Sequence, residues 1–221
     1  MGLHYALAAA PEPPVLAYLF TLRRARHPMP HVWTNYFNGC APGSFRIHIH
    51  VDPTFNATEV EEKGPAARYF NRKHTLPKEQ LIKVRRFGHE LVRARMKLLR
   101  HATEAMAAQG EELPPYYSFY SESCAPISTC AAAHAHLRQA AAESPPRSFI
   151  EAKRPMTADQ RDDTPLWRSE FAKVCPGCAA VNLPAKDFRF SPGWVTLHLD
   201  HAKVRAPGAA SAPSTSSRLD S

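Results

Sequence analysis

Residues 15–22 read VLAYLFTL, with Thr21 as the sole polar member. The run has strand length and carries apolar side chains on both of its faces, so it must be covered on both. That requirement points to a central strand of a parallel sheet with helices packed above and below. It weighs against a half-solvated antiparallel sheet, whose strands alternate apolar and polar. The run ends in the basic RRARHPMP, a loop.

The following segments fit this beginning. SFRIHIHVD (44–52) alternates, with Phe45, Ile47, Ile49 and Val51 on one side and Arg46, His48, His50 and Asp52 on the other. Between the two strands PHVWTNYFNGC reads as a helix, with Gly39 as its stop. Residues 53–80 are a polar, broken connection, and LIKVRRFGH reads as a further short strand and turn. ELVRARMKLLRHATEAMAAQG is a long helix, with Leu91, Leu98 and Ala105 on one face flanked by Val92, Met96, Leu99 and Met106, and it ends at Gly110. Tyr116–Tyr120 suit a core strand. Ser128 or Thr129 then caps the Ala-rich helix CAAAHAHLRQAAAE, and SPPRSFIEA supplies the next turn and strand.

Strand and helix alternate in the rhythm of an α/β sheet with crossover helices. Ligands of such sheets bind outside the carboxyl ends of the strands, where helix N-termini point their N–H groups inward. Asp52 and the cluster Ser121-Glu122-Ser123-Cys124 lie at such ends. Residues 1–14 read as an irregular lead, 15–204 as one domain, and the small, polar, Pro-containing stretch 205–221 as a disordered tail.

A formal charge of +8 suggests an anionic partner without choosing among nucleic acid, membrane surface and phosphorylated small molecule. The basic residues of KVRRFGH and RARMKLLRHA surround a helix that already has an apolar face, and no aromatic-interleaved recognition motif accompanies them, so a solvated surface is preferred to nucleic-acid binding. No phosphate loop, no Gly-x-Gly-x-x-Gly and no Gly-x-Ser-x-Gly occurs. His48 and His50, with His31 nearby, form a His-x-His that reads as the surface-facing polar side of a strand rather than as a metal site. Asp52 is open to two readings, a ligand for a ribose or base N–H and a turn cap. Of the five cysteines only Cys175 and Cys178 are close in sequence; CPGC lacks a second metal-binding pair and reads as a local disulfide or two loop thiols. No run reaches the ~20 apolar residues of a membrane span, and the opening MGLHYALAAAPEPP lacks the basic start of a secretory signal.

Taken in order, VLAYLFTLRR, IHIHVDPTFN, VRRFGHELVRARMKLL, YSFYSESCAPI and FSPGWVTLHLDHA resemble the Core-2/I-branching β-1,6-N-acetylglucosaminyltransferases, glycosyltransferase family 14, and most of all their plant and algal branch. The resemblance implies a GT-A-like α/β fold with a mostly parallel sheet. It also implies inverting transfer of a hexosyl or N-acetylglucosaminyl group from a UDP-sugar to a glycan or glycoprotein, with no cofactor and no metal. By position, Asp52, Arg85, Arg86, Phe87, Gly88 and Ser191 would bind the donor, and Glu122, Ser123, Gly193 and Trp194 would shape the donor and acceptor pocket. A Golgi location on the lumenal side, and membrane association through a segment outside these residues, follow from the same resemblance.

The departures concern chemistry. Phe87 replaces the family's Trp, and the family's GSQW has become SPGW, ending in Trp194. The acidic segment that supplies the catalytic base in the family has no counterpart after LDHAKV, so no catalytic residue is assigned. A non-catalytic sugar-nucleotide or glycan-binding protein is the alternative, with a basic nucleic-acid-associated protein behind it.

Overall fold

The computed structural model describes residues 13–55, 62–84, 89–150 and 195–202. Among these residues nine elements follow one another: β1 (Leu16–Leu22), α1 (Pro30–Asn38), β2 (Phe45–Val51), α2 (His89–Ala108), β3 (Tyr116–Ser121), α3 (Cys130–Ala141), β4 (Phe149–Ile150), β5 (Val195–His198) and α4 (Leu199–Ala202). Short 3-10 turns fill the stretch between β2 and α2. The five strands form one open sheet in the order β2-β1-β3-β5-β4. β1 is parallel to both β2 and β3, whereas β5 is antiparallel to β3 and to β4. The expected mixed α/β architecture is therefore present, parallel on one side and antiparallel on the other.

Every residue of β1 is buried, because helices cover both faces as its composition requires. On one face Tyr18, Phe20 and Leu22 pack with Trp33 and Phe37 of α1 and Leu137 and Ala140 of α3. On the other, Ala17 and Leu19 pack with Leu98, Leu99, Ala102 and Met106 of α2. The first face is aromatic: Trp33 meets Phe20 edge-on at 4.8 Å and stacks on Phe37 at 5.4 Å. Burying each such ring stabilises the fold by roughly 1.5–3 kcal/mol. The phenol of Tyr18 is also satisfied, hydrogen-bonded to Tyr36 Oη at 2.9 Å and to His134 Nε2 at 3.0 Å.

Three local expectations are corrected. In α2 the buried stripe is Ala94, Leu98, Ala102 and Met106, a run of i, i+4 positions, while Val92 and Met96 are exposed. Small alanines in that stripe let the helix lie close to the sheet. Residues 81–84 form no strand, for the Ile82 N–H donates to the Nε2 of His50 instead of to a ladder. The polar side of β2 does not face solvent: His50 is fully buried beneath this segment, and His48 packs edge-on against His101 of α2. Burial drives both rings toward the neutral form, His48 to about 3 and His50 to about 4.

The helix ends fall where the local chemistry puts them. Gly110, with φ of +67°, closes α2, and the Glu111 N–H returns to the Met106 carbonyl. Of the two candidate caps of α3, Thr129 acts, accepting from the Ala132 N–H.

Candidate functional site

The chain runs from β1 outward to β2 and then crosses back over β1 to β3, so the direction of winding reverses between β1 and β3. A crevice opens at such a switch point, outside the carboxyl ends of the strands. Here it lies between the loop after β1 (residues 23–28) and the turn after β3 (121–124). The two are joined directly, since the Arg23 N–H donates to Glu122 Oε2 at 3.0 Å.

The loop after β1 is pinned twice. Its start is held by Glu122, and its end by Glu62, whose Oε1 accepts from the His27 N–H. His27 is buried, which lowers its ring to about 4, and its Nδ1 accepts from the Met29 N–H. Between these anchors Arg24 and Arg26 are exposed, beside a cavity of about 540 Å³ that Glu122 also lines. Neither arginine was singled out from the sequence, where RRARHPMP reads only as a basic loop. Its signal was position: a basic run directly after a buried parallel strand.

The turn after β3 is built from its own side chains. The Cys124 N–H closes it onto the Ser121 carbonyl, the Ser121 N–H donates to Cys124 Sγ, and the Ser121 and Ser123 hydroxyls meet at 2.9 Å. From the core, Trp33 Nε1 donates to the Cys124 carbonyl at 3.0 Å. On the other side of the turn lies a second, mainly apolar cleft of about 730 Å³, lined by Ser123, Ile127, Phe149, Ile150 and Thr196. Glu122 lines the first cavity and Ser123 the second.

Asp52 is buried at the end of β2. Its N–H continues the ladder to the Leu22 carbonyl, and its Oδ1 accepts from the Thr54 N–H at 2.9 Å. The turn-capping role is thus present. Arg95 was not expected at the site: from α2 its guanidinium lies 5.7 Å over the ring of Phe119 in β3. Arg85, Arg86, Phe87, Gly88, Ser191, Gly193 and Trp194 lie outside the described residues, as do Cys175 and Cys178.

Cys40, just after α1, and Cys130, first in α3, form a disulfide across 90 residues of sequence. His134 Nε2 lies 3.5 Å from Cys130 Sγ, and the ligand atoms of Cys40, Cys130 and His134 fall within 4.8 Å of one another. With both sulfurs engaged in the S–S bond, the trio offers no thiolate to a metal ion.

A doubly covered α/β sheet, a switch-point crevice and a cationic loop facing a carboxylate suit an anionic, polar ligand. The family model of the Core-2/I-branching enzyme matches residues 16–204. The chain belongs to that family. Its members are glycosyltransferases that take a nucleotide-sugar donor and a glycan acceptor, and they are typically Golgi-resident. No curated protein matches this branching-enzyme chain. Among its described residues no helix is long and apolar enough to cross a membrane.

Proposed function

We propose that this chain binds a UDP-sugar in the crevice between the loop after β1 and the turn after β3, and transfers the sugar with inversion to a hydroxyl of a glycan or glycoprotein. A GT-A-like donor fold, hexosyl or N-acetylglucosaminyl transfer, metal independence and a lumenal Golgi setting belong to the same reading. The observation that carries it is the pinned basic loop facing Glu122 at the switch point of a branching-enzyme chain. A leaving diphosphate needs positive charge aimed at it, and an enzyme without a metal ion draws that charge from Arg or Lys. Arg24 and Arg26 take this role, on a loop whose ends are fixed and whose reorganisation is therefore small.

Asp52, besides capping its turn, stands toward the uridine end, together with the stretch Arg85–Gly88. Ser191, Gly193 and Trp194 belong to the sugar and acceptor side, and Ser123 faces the acceptor cleft. Glu122 has one oxygen committed to the Arg23 N–H, which supports a pocket role rather than that of general base.

Calorimetry with UDP and with UDP-sugars, with and without EDTA, tests the reading. UDP binding that EDTA leaves unchanged, and that falls about tenfold or more in Arg24→Ala/Arg26→Ala, is expected. Absence of binding to any of these ligands overturns it. Radiolabelled transfer to glycan acceptors then separates a transferase from a protein that only binds the donor.

A further inference from the structure

β2 is the outer strand of the sheet, paired on one side only. Toward its C-terminal half the open side is covered, with Ile49 bridged to Thr75 and the Leu76 N–H on the Ile49 carbonyl at 2.9 Å. Its N-terminal half instead borders a groove of about 830 Å³. Arg46, His48, Arg68, Lys73, His74 and His101 contribute to its walls. At ~3.3 Å per strand residue, His48 lies about 13 Å along β2 from Asp52, so this groove is distinct from the donor crevice.

The charge balance within it is one-sided. Glu111 is the one carboxylate among the described lining residues, and it is spent on Arg46, whose Nε reaches it at 2.6 Å. Arg46 also donates from Nη1 to the Gly43 and Phe45 carbonyls. Arg68 and Lys73, both exposed, have no ion-pair partner among the described residues. The Nε2 of His48 is buried and lacks a hydrogen-bond partner among the described residues, an open polar valence in the wall. His74 lines the same wall, and burial lowers its pKa, favouring the neutral ring.

We propose that this groove is a second binding site, for a saccharide bearing sulfate or phosphate groups; the choice of a saccharide rests on the glycan-handling function proposed above. Arg68 and Lys73 match two anionic substituents, and the imidazoles with the amides of Asn38 and Gln109 match hydroxyls. The volume is in the range of ligand pockets and far exceeds that of a lone anion. Single-stranded nucleic acid fits less well, because bases need exposed rings to stack on. Of the Phe and Tyr rings here, Phe37 and Tyr69 are buried, the half-buried Phe45 is already stacked on Phe37 at 4.9 Å, and Arg68 lies over Tyr69 at 5.6 Å.

The test is calorimetry with a heparin-derived tetrasaccharide, its desulfated counterpart and a single-stranded oligonucleotide of equal charge, at one ionic strength. Three proteins are compared: wild type, Arg68→Glu/Lys73→Glu, and Arg93→Glu/Arg100→Glu, which makes the same charge change on the exposed side of α2. Sulfate-dependent binding that falls roughly tenfold in the groove variant and less than about twofold in the α2 variant is expected. An equal fall in both variants means diffuse attraction to a +8 chain and overturns the site. Equal binding of the desulfated sugar, no tetrasaccharide binding, or groove-dependent binding of the oligonucleotide above the tetrasaccharide also overturns it. UDP titrated into the same samples reports separately on the donor crevice, so failure there is distinguishable from failure of the groove.

Discussion

The two faces of the sheet solve the same covering problem with different chemistry. Against α1 and α3 the strands present interlocked aromatic rings, backed by the Cys40–Cys130 bond. Against α2 they present a mixed surface, Ala17 and Leu19 of β1 beside Tyr117 and Phe119 of β3, and on β2 the half-buried His48 and the buried His50. The aromatic face holds one buried histidine of lowered pKa, His27, against Phe20, Trp33 and Phe70, and it reaches the crevice through Trp33. The α2 face carries two histidines of lowered pKa, so the larger share of the acid response should come from it.

Trp33→Ala should break this contrast most strongly, costing about 3–5 kcal/mol by urea unfolding, as expected for deleting a buried Trp. Trp33→Phe isolates the hydrogen bond to Cys124: a loss of about 1 kcal/mol is expected, together with weaker UDP binding if that bond holds the turn after β3. A stability loss near that of the Ala variant would mean that packing at this site tolerates no change of shape.

Reduction of the disulfide, or Cys40→Ser/Cys130→Ser, should lower stability by about 2–4 kcal/mol, because a loop of 90 residues is released in the unfolded chain. Comparing urea midpoints with and without dithiothreitol checks it. An unchanged midpoint would show that the aromatic packing alone holds α1 to α3.

Acid should act more strongly on the other face. Both histidines have folded values, about 3 and about 4, below the ordinary 6.5. The unfolded chain therefore takes up protons first, and stability is full above pH 6.5 and falls as pH drops from there toward 4. A loss on the order of 2 kcal/mol from each histidine, about 4 kcal/mol from the pair, is expected by pH 5. His50→Gln, which keeps an acceptor for the Ile82 N–H but does not titrate, should flatten the profile; an unaltered slope would place the acid sensitivity elsewhere.

The smallest effect is at a helix end. Thr129→Ala removes the cap of α3 and should cost about 1 kcal/mol without altering UDP binding.

Much of the sheet could be read from the sequence because its signals are local. VLAYLFTL is apolar but for Thr21 and is buried throughout; the alternation of β2 separates Ile47, Ile49 and Val51 from Arg46, His48 and His50 as the register does. Alternation assigns a polar face but does not say what covers it, which is why the burial of His50 could not be read. The crevice was legible as a location, since Ser121–Cys124 ends a core strand. Its cationic wall was not, because the loop of Arg24 and Arg26 is fixed by Glu62 and Glu122, acids from distant parts of the chain. The Cys40–Cys130 pairing was hidden for the same reason: it depends on α1 and α3 sharing a face.

The disulfide makes residues 40–130 a covalent ring. That ring contains Asp52 and the turn from Ser121 to Cys124, while Arg24 and Arg26 lie outside it. A single protease cut anywhere between Cys40 and Cys130 thus leaves one molecule of unchanged mass but for a water. Two fragments separate only on reduction, whereas a cut at the basic loop releases the N-terminal piece from the covalent unit at once.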